Sequence, residues 1–308
     1  MTSFEITPAG PVSLTAGAAF LEGFTPAAHQ AAEPGHLHLA FVADGADDPA
    51  GVCLRQPDRE VVAEVFGPAD PGVVRAQVAR ILSLDVDGGG FPEVGRRDPV
   101  VGGLQARWPG LRPVCFFSPY EAAAWTLIGH RIRIAQAARV KERMAAELGP
   151  SVDIHGDRRH AFPGPSRLAG LGDFPGLFGR KAEYLRALAE ATLDGRLDAN
   201  RLRSLPREEA LAELKRLPGV GDFSAELILL RGAGDPDHLP TREPRLCRAA
   251  GLAYGLDGPA DEAWLADRAE RWRPYRTWVV LLLRAFLEQQ TGEIAAGQAQ
   301  ATRPSSDG

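Results

Sequence analysis

Cysteine is scarce in this chain of 308 residues: there are 3, Cys53, Cys115 and Cys247, widely scattered and forming no CxxC pair. That spacing argues against a disulfide framework and denies a structural zinc or iron–sulfur site the paired cysteines it needs. Long apolar runs are also missing. The longest, Trp278-Val279-Val280-Leu281-Leu282-Leu283, suits a core helix and falls far short of the roughly 20 residues of a membrane span. The opening Met1-Thr2-Ser3-Phe4-Glu5 has neither the basic nor the apolar region of a secretory signal, so a cytoplasmic location is expected. There is no basic excess either: Lys+Arg 35 against Asp+Glu 40 leave a net charge of -5. Nothing global announces a nucleic-acid partner, although net charge says little about one face.

What is present is an ordinary globular composition, 44% hydrophobic and 24% charged, in a chain long enough for one large or two medium domains. The pattern predicts an α+β fold. Residues 36–42, 51–55 and 60–66 are short, partly alternating runs between turns, which suggests an antiparallel meander, and Val74, Val78, Ile81 and Leu82 mark a helix over 73–84. The glycines at 88–90 and the loop through Arg107-Trp108-Pro109-Gly110 separate this part from the next. From Ser118-Pro119-Tyr120-Glu121, a capping box with proline at the first helical position, the signals turn helical. Helices are predicted over about 134–148, 180–193, 206–216, 222–231, 244–254, 261–272 and 275–289, with no strand pattern after residue 117. The expected organisation is a mixed domain over 1–112, an all-α domain over 113–291 and a disordered tail over 292–308.

The most informative stretch is Leu217-Pro218-Gly219-Val220-Gly221-Asp222-Phe223. One helix ends, the chain turns through two glycines and a second helix starts at once. Free N–H groups of the turn and of the second helix would point the same way and make an anion site. By itself this pattern is better read as a tight αα-hairpin with glycine at the cap.

Several ordered matches add to it. Leu127-Ile128-Gly129-His130-Arg131-Ile132, His160-Ala161-Phe162-Pro163-Gly164-Pro165, Phe178-Gly179-Arg180-Lys181-Ala182-Glu183-Tyr184-Leu185 and Trp272-Arg273-Pro274-Tyr275-Arg276 flank the hairpin. Together these residues resemble the helix-hairpin-helix (HhH-GPD) superfamily of DNA glycosylases, and within it the 3-methyladenine DNA glycosylase II family, over roughly 103–287. The resemblance implies a TBP-like N-terminal domain, an all-α glycosylase domain, damaged DNA as partner, no membrane, a monomer, and no cofactor or metal beyond a candidate monovalent cation on the carbonyls around Leu217 and Val220. The implied reaction is hydrolysis of the N-glycosidic bond of an alkylated base.

The resemblance also assigns residues. Gly219, Val220, Gly221 and Asp222 would anchor a DNA backbone, with His130 and Arg131 at the bend between two helices as further contacts, and Arg180 and Lys181 behind them. Glu243, in Pro240-Thr241-Arg242-Glu243-Pro244, stands where the family has its catalytic aspartate. A fixed carboxylate there would stabilise the positive charge that builds on the sugar, and the start of the next helix at Pro244 favours negative charge. Glutamate is one methylene longer, and misplacement on the order of 1 Å can cost about 100-fold. Asp235 and Asp237 are the alternatives in a shifted register. Phe223 and Leu227 match positions that wall the base pocket, while an aromatic pair of the family falls at about Arg284 and Ala285. Phe116, Phe117 and Trp125 fit the core better than the pocket. Bifunctional relatives carry a lysine where Phe223 lies, so no lyase chemistry is expected. The competing readings are a DNA-binding module with weakened or lost catalysis, and an α-helical protein with no DNA role. His36 and His38 alternate on a strand with no partner at a recognisable spacing and are read as structural.

Overall fold

The computed structural model describes residues 2–22, 35–240 and 243–292. The expected tail beyond Gly292 lies outside the described residues. Strand β1 (Thr2–Ile6) is followed by helix α1 (Leu14–Glu22), strands β2 (Leu37–Val42), β3 (Pro49–Arg55) and β4 (Val61–Phe66) and helix α2 (Pro71–Ile81). The predicted meander forms, and β1 adds to its free edge, giving an antiparallel sheet in the order β1-β4-β3-β2. Alternation sorts the side chains. Leu37, Leu39 and Phe41, Ala50, Val52 and Leu54, and Val61, Ala63 and Val65 face one way and form a core with Val74, Val78 and Ile81 of α2. Asp70 starts that helix by accepting from the N–H groups of Gly72 and Val73, with Pro71 in the first turn.

Helices α3 (Phe91–Arg97) and α4 (Pro99–Arg107) occupy the stretch between the glycines at 88–90 and the 107–110 loop, where no element is expected. They are short, and Asp98 ends the first and caps the second. Next come α5 (Pro119–Gly129) and α6 (Ile134–Leu148). Ser118 caps α5 through the N–H of Glu121, whereas the Glu121 carboxylate pairs with Lys141 of α6 at 3.0 Å.

The all-α expectation is corrected at one place. Strands β5 (Ser151–Ile154) and β6 (Asp157–His160) form an antiparallel hairpin after residue 117. The hairpin lies on the outer face of the first sheet, where Val152 and Ile154 cluster with Cys53 and Phe66. Only Gly51 permits this: a Cβ there would sit 2.7 Å from Val152 and 2.8 Å from Ile154. Strands this short and charged carry almost no alternating signal of their own; packing against the sheet makes them strands.

The rest is helical: α7 (Pro165–Ala169), α8 (Lys181–Leu193), α9 (Ala199–Ser204), α10 (Arg207–Lys215), α11 (Asp222–Leu227), α12 (Pro244–Tyr254), α13 (Glu262–Ala269) and α14 (Arg276–Thr291). Helix α11 continues as a π-helical turn over Ile228–Ala233 instead of running on as one α-helix. The turn widens where the helix meets the start of α5, since a Cβ on Gly232 would be 2.7 Å from the Cα of Pro119. Helices α5, α6, α8, α10 and α11 share one core. A second helical core joins Phe91, Val94, Val101 and Leu104 to Leu246, Trp272, Trp278 and Leu282, so α3 and α4 pack with the C-terminal helices although they precede residue 112. Among the described residues no helix is long and apolar enough to cross a membrane.

Candidate active site

The hairpin is built by α10, the turn over 216–221 and α11. The N–H of Val220 donates to the Leu217 carbonyl at 3.0 Å, and Gly219 sits at φ +84. Gly219 is doubly required, because a Cβ would also lie 2.7 Å from Tyr184 and 2.8 Å from Leu127. Val220 is buried between the two helices, and Gly221 opens α11 with nothing within 4 Å of its Cβ position. Asp222 pairs with Lys215 at 3.1 Å across the hairpin. Phe223 projects outward, 63% exposed, whereas Leu227 packs against the helical core.

The contacts of Gly219 bring the end of α5 and the start of α8 beside the hairpin. His130 ends α5 and Arg131 turns the bend at φ +55. Burial first, then the charges of Lys181 and Arg131, hold the His130 pKa below the usual imidazole value. The shift favours the neutral ring, which offers a hydrogen bond more than a charge. Lys181 is buried and donates to the Ile128 carbonyl at 2.7 Å, closing the C-terminus of α5. Arg180 is exposed, paired with Glu183 and set over the Tyr184 ring at 5.2 Å.

From the hairpin, α11 and its π turn run to Arg231, which is close enough to feel the charges of Arg284 and Glu243. Burial is the main reason its pKa falls to about 10, and Arg284 adds to the fall. Glu243 occupies the N-cap position of α12 with Pro244 behind it. Its carboxylate, 14% exposed, lies 3.2 Å from the Arg284 guanidinium of α14. It lines a pocket of about 420 Å³ together with Pro244, Cys247, Arg248, Pro259 and Glu262. Phe223 and Leu227 are not in that lining. Arg284 was not among the expected site residues; it stands at about the place of an aromatic of the family.

The shifted-register acids are committed elsewhere. Asp235 accepts from Arg207 at 2.9 Å. Asp237 accepts from Arg276 at 2.9 Å and from Arg273 at 3.1 Å. The Trp272–Arg276 element is structural in the same way: Trp272 is buried and donates to Asp98 at 3.2 Å, and Tyr275 donates to the Asp87 carbonyl at 2.6 Å. Phe116 is buried, Trp125 packs on the same helical core, and Phe117 lies against Phe41 at 5.7 Å.

No family model matches the chain. It is 30% identical over 222 residues, 71% of its own length, to a probable bifunctional transcriptional activator/DNA repair enzyme AlkA of Mycobacterium tuberculosis, of which it spans 43%. It is 30% identical over 188 residues to the DNA-3-methyladenine glycosylase 2 of Escherichia coli, covering 59% of this chain and 62% of that one. In fold it is similar to a 3-methyladenine DNA-glycosylase from Archaeoglobus fulgidus, with a TM-score of 0.75 and 21% identity over 94% of this chain and 99% of that one. Sequence and fold agree in direction: the chain is similar in sequence to 3-methyladenine DNA glycosylases and a DNA repair enzyme AlkA, and it has the fold of a 3-methyladenine DNA-glycosylase.

Proposed function

We propose that the protein is a monofunctional DNA glycosylase that hydrolyses the N-glycosidic bond of damaged, alkylated bases. The observation that carries this reading is the Glu243 carboxylate, held at the entrance of α12 beside a concave surface instead of being consumed by a structural network. The names of the relatives, DNA-3-methyladenine glycosylases and a DNA repair enzyme, support the reaction class.

In this reading the hairpin holds a backbone phosphate through main-chain N–H groups around Gly219, Val220 and Gly221, assisted by the N-terminal end of α11. Asp222, tied to Lys215, fixes the hairpin's shape. His130 and Arg131 line the same face and meet the duplex at the bend, and the exposed ring of Phe223 lies against the nucleic acid. A base must leave the stack to be cut, and the damaged one pays the least for doing so. As the glycosidic bond lengthens, positive charge grows on the sugar; Glu243 stabilises it and orients the attacking water. Arg284 neutralises that carboxylate in the free protein and hands it over as the sugar becomes cationic. With Phe223 where a lysine would be needed, no Schiff base forms and the reaction ends at hydrolysis.

The test is base release from alkylated duplex DNA by the wild type and by Glu243→Gln, with duplex binding measured in parallel. Glu243→Gln is expected to lose about 100-fold or more in release while binding is kept. Equal release by both proteins would move the chemistry away from Glu243. Tight binding with no release by the wild type would turn the reading to a binding module.

A further inference from the structure

The outer face of the first sheet carries a cluster that the glycosylase reading does not use. His38 and Cys53 are direct cross-strand partners on β2 and β3, and Glu64 of β4 is the next partner across. His36 precedes His38 by two residues and so shares its face. The ligand atoms of His36, His38 and Cys53 all lie within 4.8 Å of one another. His36 Nδ1 is 3.3 Å from Cys53 Sγ. Two donors bound to one zinc ion at about 2.0 and 2.3 Å, at the tetrahedral angle, stand about 3.5 Å apart. Over this group lies the β5–β6 hairpin, which brings Asp157 to 3.1 Å from His38 Nδ1 and His155 to within 2.9 Å of Glu64.

The orientation of His38 is the decisive feature. The Asp157 oxygen that faces His38 Nδ1 also accepts from Arg159 Nε at 2.6 Å. A carboxylate oxygen that serves an arginine is an acceptor, so Nδ1 is the donor to it, and Nε2 is the ring nitrogen left to offer a lone pair to a metal. His38 is 4% exposed, and its Nε2 is buried with no hydrogen-bond partner among the described residues. Ordinary hydrogen bonding accounts for His36, Cys53 and Nδ1 of His38, but not for this atom. A carboxylate on one ring nitrogen and a lone pair on the other is the arrangement that orients a metal-binding histidine.

We propose that His36, His38 and Cys53 form a binding site for a zinc-class divalent ion, with Asp157 as the positioning residue for His38 and a water in the fourth position. Two imidazoles and a thiolate suit a borderline-soft ion. Binding converts the Cys53 thiol to thiolate and releases its proton to solvent, so affinity rises with pH. The ion would pin the hairpin to the sheet, since Asp157 comes from one and the three ligands from the other.

The test uses the full chain, stripped with a chelator and titrated with Co²⁺, whose tetrahedral and thiolate-to-metal absorption bands report the ligands directly. One equivalent of Co²⁺ per chain, displaced by Zn²⁺, is expected. The thiolate band should vanish in Cys53→Ser and persist in Cys115→Ser and Cys247→Ser. His36→Gln, at a half-buried position, should lose the tetrahedral bands with circular dichroism unchanged, which keeps the test decisive if Cys53→Ser fails to fold. Asp157→Asn should weaken affinity by about 10- to 100-fold. Absence of stoichiometric bands in the wild type, or their survival in His36→Gln, would overturn the site.

Discussion

Two groups of acids lie within a few residues of each other before α12, and they have different fates. Asp235 and Asp237 are enclosed by Arg207, Arg273 and Arg276, so their oxygens are spent on holding the 235–238 segment to α10 and α14. Glu243 is no more exposed than they are, but among the described residues it meets a single guanidinium, that of Arg284, and its side chain makes no capping bond to the helix behind it. The difference separates acids held by several partners from one held by a single partner. A buried charge with several fixed partners cannot turn to a substrate without uncovering those partners, whereas a singly held one can.

That contrast can be broken most sharply at Asp237. Removing it leaves Arg276, 7% exposed, with the longer 3.5 Å contact to Glu270 as its remaining ion pair, and Asp237→Ala should cost up to about 3–5 kcal/mol in chemical unfolding. A cost below about 1 kcal/mol would place Asp237 with Glu243 instead. Acid acts on the same network through His238, which neighbours both aspartates. Burial first, then Arg207, lowers its pKa from 6.5 to about 4. The folded protein thus takes up the proton less readily than the unfolded chain. Stability from this group is complete above about pH 6.5 and is lost as the pH falls toward 4, by about 3 kcal/mol at most. Unfolding midpoints across that window, compared with those of His238→Gln, check it: the variant should lose most of the slope. Glu243→Gln should shift stability by about 1 kcal/mol or less, in contrast to its large effect on release, because a partly exposed pair contributes little to folding. Arg284→Leu, read by the same unfolding assay, should be smaller still or neutral. A loss of several kcal/mol from either would make Glu243 a structural acid.

Legibility in the sequence followed the strength of local signals. The meander, α6 and α12 were readable because alternation, helical spacing and caps agreed, and the 134–148 and 244–254 boundaries are those observed. Strand β1 and the β5–β6 hairpin were not. Their residues are largely polar or exposed, and partners far along the chain make them strands. Within the candidate site, the glycine turn at Gly219 leaves a mark in sequence, whereas Glu243 was singled out by its place in the family resemblance. The Glu243–Arg284 pair joins residues on separate helices, and no local pattern encodes it. The same holds for Cys53 and Asp157 beside the histidines: strand register and a distant hairpin assemble them, so spacing along the chain says nothing of their proximity.

The path of the chain also constrains how the molecule can move. It leaves the sheet, builds α5 and α6, returns to lay β5–β6 across the back of the sheet, and then departs again for the remaining helices. Meanwhile α3 and α4 are stitched to α14. A molecule laced in both directions has no single crossing point at which to flex, and a cut near residue 112 would strand core residues on each side. It should therefore melt as one unit, with both halves of the chain losing structure together.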